Sequence, residues 1–166
     1  MSLDTSKLLA RCIAGQWSIN DFDWSQKPPL TFSREKEQRV CYYYANMMYI
    51  ERMAAALFLA LSRRVYDPVL RAIYESFHGD ELRHSHAAAR LMDYFDVHHY
   101  RIYTPSRAMT RFIPYFTRLV ESSNLAFANS LVLMGELVLD IAFLRALNDY
   151  VDDPLARAVV EKINSY

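Results

Sequence analysis

The chain has 166 residues, of which 52% are hydrophobic, so it has the size of one domain with a substantial core. Nineteen basic residues balance nineteen acidic ones, which argues against a surface built for nucleic acid or for an anionic membrane. Two cysteines, Cys12 and Cys41, are too few for a disulfide framework or a zinc ribbon, and no basic and then apolar signal segment opens the chain. These features predict a cytoplasmic protein with no nucleic-acid or membrane partner.

The residue pattern predicts an all-α fold. Only three glycines and six prolines occur, and no segment alternates polar and apolar residues as a strand does. A short helix is expected from about Asp4 to Ala14, followed by an irregular, aromatic strap over residues 17–32. We therefore expect residues 1–32 to form an N-terminal helix and strap, and residues 33–166 to form a single helical domain.

Two long helices, A and B, are predicted next. Helix A is expected to begin after Ser33, a good N-cap residue, and to run to about Arg63. Helix B is expected to begin at Asp67-Pro68, an acidic cap followed by a proline that is compatible with the first turn, and to run to about Phe95.

The C-terminal part is predicted to be less regular. Residues 96–123 contain Pro105 and Pro114, which favours short helical pieces over one helix. Helix C is expected over residues 124–147, and helix D from Asp153 onward to Tyr166.

An internal repeat links helices B and D. Residues 67–75 read Asp-Pro-Val-Leu-Arg-Ala-Ile-Tyr-Glu, and residues 153–161 read Asp-Pro-Leu-Ala-Arg-Ala-Val-Val-Glu, with five of nine positions identical at an offset of 86. At the same offset, the counterpart of Glu81 would be residue 167. We therefore expect helix D to be truncated and the sequence to be a fragment of a longer chain.

The most informative motif is Glu81-Leu82-Arg83-His84 in helix B. A carboxylate and an imidazole three residues apart on a helix lie on one face, so both can reach one metal ion. Glu51 lies thirty residues upstream among apolar residues of helix A, and Glu136 is similarly placed in helix C. A buried glutamate is costly without a cation or a hydrogen-bonded partner, so these acids are predicted to be metal ligands; the alternative is pairing with arginine.

Asp80, next to Glu81, is a candidate for a supporting role. Ligating histidines usually donate their second ring N–H to a carboxylate, and Asp80 is a candidate acceptor for His84. The alternative is an exposed helix acid that pairs with Arg83 or with His84.

Other polar residues are weaker candidates for metal ligands. Asp140 is a rival to Glu136 for the helix C ligand, and such charged residues favour a buried bundle helix over a membrane span. His78 and His86 are predicted to be surface or supporting residues, and the two histidines at 98–99 are predicted to be solvated.

These residues resemble the ferritin-like di-iron carboxylate superfamily from residue 33 to the end. Its members are four-helix bundles in which each helix pair supplies a glutamate and a Glu-x-x-His. The ligands that the resemblance implies are Glu51 on helix A, Glu81 and His84 on helix B, and Glu136 on helix C. Helix D lacks the second Glu-x-x-His, because Asn164 stands where a histidine paired with Glu161 would be. The implied fold is a ferritin-like four-helix bundle that holds at most one iron tightly.

The resemblance also implies a function. Ribonucleotide reductase small subunits carry a radical tyrosine four residues after the helix B histidine, where this chain has Ala88. The strap and the repeat look more like the oxygenase branch, including aminobenzoate N-oxygenase-like proteins. The implied activity is an iron-dependent, O2-activating oxidoreductase acting on a small organic substrate, with two irons in a complete site, manganese as the alternative metal, and an electron-donor protein as partner.

Two further expectations concern a competing function and the quaternary structure. The competing function is non-catalytic: a helical interaction protein, or a ferritin-type iron-storage protein. A short helix D would leave an apolar groove on helices A to C, so a homo-oligomer is expected.

Overall fold

The computed structural model describes residues 4–28, 32–99, 103–138 and 151–164, except for the side chain of Glu136. Within these ranges the chain forms six α-helices and one short 3-10 turn, Ile19–Asp21, and it contains no strand, which confirms the all-α prediction. The helices are α1 (Thr5–Ala14), α2 (Arg34–Ser62), α3 (Pro68–Phe95), α4 (Arg107–Ser122), α5 (Leu125–Val138) and α6 (Pro154–Ile163).

Over the described residues, the N-terminal segment is a capped helix followed by an irregular strap. Asp4 caps α1 by accepting a hydrogen bond from the backbone N–H of Lys7 at 3.0 Å, and Gly15 ends the helix. In the strap, the indole N–H of Trp24 donates to the carbonyl of Ile19 at 2.7 Å, which holds the 3-10 turn against the following residues. The segment is therefore ordered by its own hydrogen bonds and packs on α3.

Helices α2 and α3 are the predicted helices A and B, and they pack against each other more extensively than any other pair of described helices. Ser33 caps α2, and Asp67 caps α3 with Pro68 in its first turn. Three hydrogen bonds between them join Cys41 to the carbonyl of Met92 (3.7 Å), Ser85 to the carbonyl of Met48 (3.1 Å) and His78 to the carbonyl of Ala55 (2.8 Å). Because the partner numbers fall on α3 as they rise on α2, the two helices are antiparallel.

Among the described residues, two hydrophobic clusters form the core, one toward each end of this helix pair. The first joins the strap, the N-terminal half of α2, the C-terminal half of α3 and α6, and its members include Trp17, Tyr44, Met47, Leu91, Phe95 and Val159. The second joins the other halves of α2 and α3 to α4 and α5, and its members include Leu57, Phe58, Leu61, Tyr74, Val120 and Val132. Cys12 and Cys41 are buried, unpaired thiols.

The prediction of short helical pieces over residues 96–123 is wrong for α4. This helix is continuous for 16 residues, with Pro114 inside it. A proline removes one backbone hydrogen bond and costs about 3 kcal/mol in a helix interior. Tertiary contacts oppose that cost: Val120 is fully buried in the second cluster, and the Arg64 side chain donates to the carbonyls of Val120 and Ser123 at the end of the helix.

The last two helices differ in part from the predicted helices C and D. Helix α5 begins after Asn124, whose side chain accepts from the backbone N–H of Phe127 at 3.0 Å, and it is described to Val138. The remainder of the predicted helix C, residues 139–147, lies outside the described residues. Helix α6 ends at Ile163 with Asn164 as its C-cap, earlier than the predicted Tyr166. None of the described helices is long and apolar enough to cross a membrane.

The sequence repeat corresponds to two equivalent helix starts. Asp67 accepts from the backbone N–H of Leu70 at 2.9 Å, and Asp153 accepts from that of Ala156 at 2.8 Å, each followed by proline. Asp153 is buried, and its second oxygen also accepts from the hydroxyl of Tyr94 at 3.0 Å, whereas Asp67 is exposed.

The two caps should therefore contribute differently to the free energy of unfolding. We expect Asp67→Ala to lower the free energy of unfolding by about 1 kcal/mol, the usual cost of a lost cap. Asp153→Ala should cost about 2 kcal/mol or more, because it also leaves the Tyr94 hydroxyl without its acceptor. Urea denaturation followed by circular dichroism measures both values, and Asp153→Asn, which keeps a capping oxygen, is the control. Equal losses for the two alanine variants would contradict this assignment.

Candidate metal site

The candidate site lies between the two hydrophobic clusters, at the middle of α2 and α3. The register that joins Met48 to Ser85 and Ala55 to His78 places residue 51 of α2 opposite residues 81–84 of α3. Glu81 and His84 share one face of α3 because they are three residues apart. The structure thus brings Glu51, Glu81 and His84 together.

The three side chains form a compact, buried cluster. Each is only 6% exposed, and one ligand atom from each lies within 4.8 Å of those of the other two. The Nδ1 atom of His84 is 3.6 Å from Oε2 of Glu81 and 3.8 Å from Oε2 of Glu51. The imidazole therefore presents Nδ1 to both carboxylates.

The donor set fits a divalent transition-metal ion. Bonds of about 2.1 Å to oxygen and nitrogen place two ligands of one ion about 3–4 Å apart, and the 3.6 and 3.8 Å separations lie in that range. The three ligand atoms lie within 4.8 Å of one another, so binding of an ion would draw the most distant pair together by up to about 0.8 Å. Moreover, Oε2 of Glu81 is buried, and the 3.6 Å that separates it from Nδ1 of His84 allows only a weak hydrogen bond. A buried oxygen in this situation is costly unless a cation or a proton satisfies it.

The protonation of the cluster follows from burial and from the neighbouring charges. Burial raises the pKa of the Glu81 carboxyl to about 8, and the nearby Glu51 adds to this increase while His84 opposes it. Burial alone would lower the pKa of His84, but hydrogen bonding and charge from Glu51 and Glu81 outweigh it and raise the pKa to about 9. At neutral pH, Glu81 and His84 thus each hold a proton.

These protons make the charge of the cluster equal with and without a divalent ion. One divalent ion carries the same charge as the two protons that it would displace from Glu81 and His84. Its binding therefore adds no net charge to the buried site, which avoids the cost of burying an unbalanced charge.

Two aromatic residues at the site were not among the sequence-predicted candidates. The Trp17 ring, from the strap, stacks on the His84 imidazole with centroids 6.1 Å apart and planes 19° apart. Tyr43, on α2, lies close to Glu51. Burial is the main cause of the raised pKa of the Tyr43 hydroxyl, and the charge of the Glu51 carboxylate is the second cause. The strap shows no periodic pattern that could have pointed to Trp17.

Asp80 is buried and pairs with Arg83 on the same helix. The pairing with Arg83 agrees with the alternative considered from the sequence, although the predicted exposure does not. Its predicted role as the acceptor for the second ring N–H of His84 stays a prediction.

The side chains of the other residues predicted from the sequence are either outside the described residues or not part of the cluster. The backbone of Glu136 lies in α5, but its side chain is outside the described residues, as is all of Asp140. The ligand role of Glu136 therefore stays a prediction. His86 is exposed, as expected, and His78 is partly buried against the carbonyl of Ala55.

His98 is exposed, as predicted for a solvated loop histidine, and it is also held in place by a carboxylate. Its Nδ1 lies 2.6 Å from Oε2 of Glu37, and its backbone N–H donates to Oε1 of the same carboxylate at 2.9 Å. Glu37 is only 2% exposed, so this second Glu–His pair joins the start of α2 to the loop after α3.

Comparison of the chain with protein-family models, with curated proteins and with solved structures finds no match.

Proposed function

We propose that Glu51, Glu81 and His84 bind one divalent metal ion, with iron as the expected metal and manganese as the alternative. The observation that carries the proposal is the convergence of three buried ligand atoms within 4.8 Å of one another. Two carboxylates and one imidazole suit iron or manganese and leave coordination positions for other ligands. Glu136 remains a proposed additional ligand.

We further propose that the chain is an iron-dependent, O2-activating oxidoreductase that acts on a small organic substrate in the cytoplasm. Support comes from the ligand types and from their position at the middle of two long antiparallel helices, an arrangement typical of ferritin-like four-helix bundles. Bound iron would bind O2 and pass electrons to it, with an electron-donor protein as the source of those electrons.

The chain's own residues would prepare the site for this chemistry. Glu51 and Glu81 neutralise the charge of the ion, and His84 contributes Nδ1 from a ring whose plane is fixed by stacking on Trp17. The hydrophobic clusters on both sides, including Met47 and Phe58, exclude water and strengthen each electrostatic contact.

The direct test is anaerobic titration of the purified chain with Fe(II), and separately with Mn(II), with elemental analysis of the product. We expect one tightly held ion per chain. Glu51→Gln and His84→Ala should each weaken binding by about 100-fold, because each removes one of a few ligands that share the binding free energy.

Glu37→Gln is the matched control, because Glu37 is also buried and also paired with a histidine, but lies in a different part of α2. It should leave metal affinity within about twofold. If the wild-type chain binds neither ion, or if Glu37→Gln weakens binding as much as Glu51→Gln, the metal proposal is wrong. A helical interaction protein would then be the better description. Binding of iron without O2-dependent turnover would favour iron storage.

A further inference from the structure

Trp17 is the residue of the strap that reaches the candidate site. Its side chain is only 7% exposed, and its ring stacks on His84, one of the three proposed ligands. Phe22 packs edge-on against the same indole, with centroids 5.7 Å apart. The indole is thus fixed on both sides.

The indole N–H of Trp17 donates no hydrogen bond within the described residues. Its Nε1 atom is buried, and no hydrogen-bond acceptor is found for it in residues 4–28, 32–99, 103–138 and 151–164. The other tryptophan of the chain provides a contrast, because Trp24 donates its indole N–H to the carbonyl of Ile19 at 2.7 Å. A buried donor without an acceptor is unfavourable, so a polar ligand at this position would be stabilised.

The indole of Trp17 lies next to a proposed ligand of the metal ion. Its ring stacks on His84 with centroids 6.1 Å apart, so the indole and an ion bound to His84 would lie in the same part of the fold. A metal–oxygen bond of about 2.1 Å followed by an N–H···O hydrogen bond of about 2.9 Å spans roughly 5 Å. An oxygen atom of a small ligand on the metal is therefore a candidate acceptor for the indole N–H.

The indole N–H limits which metal-bound ligand can be its partner. An indole N–H donates but cannot accept, so its partner must have a lone pair to offer while it is bound to the metal. A metal-bound water is a strong donor and a poor acceptor, whereas a carboxylate offers a second oxygen.

We propose that the indole N–H of Trp17 donates a hydrogen bond to a small carboxylate bound to the metal at Glu51, Glu81 and His84. This inference rests on the proposed metal site. It adds a carboxylate as the ligand class and Trp17 as the residue that recognises it.

The experiment uses the two indole N–H signals of the ¹⁵N-labelled chain. Zn(II), which is diamagnetic, is added to saturation and formate is then titrated while proton–nitrogen correlation spectra are recorded. The Trp17 signal should move to higher proton frequency as formate binds. The Trp24 signal, whose donor is already satisfied, should stay in place. Trp17→Phe and Trp24→Phe each assign the signals, so either variant alone is sufficient.

Trp17→Phe also separates stacking from hydrogen bonding, because phenylalanine retains a ring against His84 but has no N–H. We expect its Zn(II) affinity to stay within about twofold and its formate affinity to fall about tenfold, the value of one hydrogen bond to a charged group. Trp24→Phe should change neither affinity.

The outcomes distinguish the two proposals. If Zn(II), Fe(II) and Mn(II) all fail to bind the wild-type chain, the metal site itself is wrong. If Zn(II) binds but saturating formate leaves the Trp17 signal unchanged, or if Trp17→Phe binds formate as tightly as wild type, the carboxylate inference is wrong and the metal site stands.

Discussion

Replacing His84 with alanine is expected to destabilise the metal-free chain by about 3 kcal/mol at pH 7. The reason is that His84 supplies the positive charge that faces Glu51 and Glu81, both of which are buried. Removing one partner of a buried ionic cluster leaves the rest uncompensated. By contrast, Glu81→Gln, which removes a buried acid and keeps the shape, is expected to stabilise the metal-free chain at pH 9.

The pH dependence of the wild-type chain follows from the direction of the two pKa shifts. Glu81 has a folded pKa of about 8 against an ordinary 4.5, so its contribution to stability is fully present below pH 4.5 and is lost as pH rises through 8. His84 has a folded pKa of about 9 against 6.5, so its contribution is present below pH 6.5 and is lost through pH 9. The free energy of unfolding should therefore fall between pH 6 and pH 9.

Urea denaturation of the metal-free chain at pH 6 and at pH 9 measures these effects. Glu81→Gln should show a smaller difference between the two pH values than wild type. Glu75→Gln is the matched control, because Glu75 is an exposed acid on the same helix and should leave the difference unchanged. A wild-type chain that is equally stable at pH 6 and pH 9 would refute the assigned protonation.

The sequence contained most of the information on the long helices, because their starts depend on local interactions. Ser33, Asp67 and Asp153 were predicted to begin helices, and each accepts a backbone hydrogen bond from the first turn. The shared face of Glu81 and His84 follows from helix geometry alone. Glu51 was predicted from its apolar surroundings, but its contact with those two residues depends on the register of α2 against α3.

Features that depend on contacts between distant segments were not predictable in this way. Trp17 reaches His84 from an irregular strap, and Glu37 pairs with His98 from a position 61 residues away in sequence. Pro114 stays inside a helix although its local effect is to break one. In each case the arrangement is stabilised by contacts between distant segments, and such contacts leave no local pattern in the sequence.

Metal affinity is expected to rise steeply with pH. Below about pH 8, Glu81 and His84 both hold protons that a metal ion must displace, since only an ionised carboxylate and a neutral imidazole are ligands. Release of two protons makes the affinity rise by up to about 100-fold per pH unit. Above about pH 9 both sites are already deprotonated, so the dependence should level off.

Titration calorimetry with Mn(II) at pH 6.5, in two buffers of different ionisation enthalpy, counts the protons released. The expected number approaches two for wild type. It should approach one for Glu81→Gln, measured at higher metal concentration, because only His84 then gives up a proton. Glu37→Gln, whose carboxylate lies outside the cluster, should release the same number as wild type. Binding at pH 6.5 with no proton release would show that the ion is held elsewhere, because Glu81 and His84 cannot bind a metal while they keep their protons.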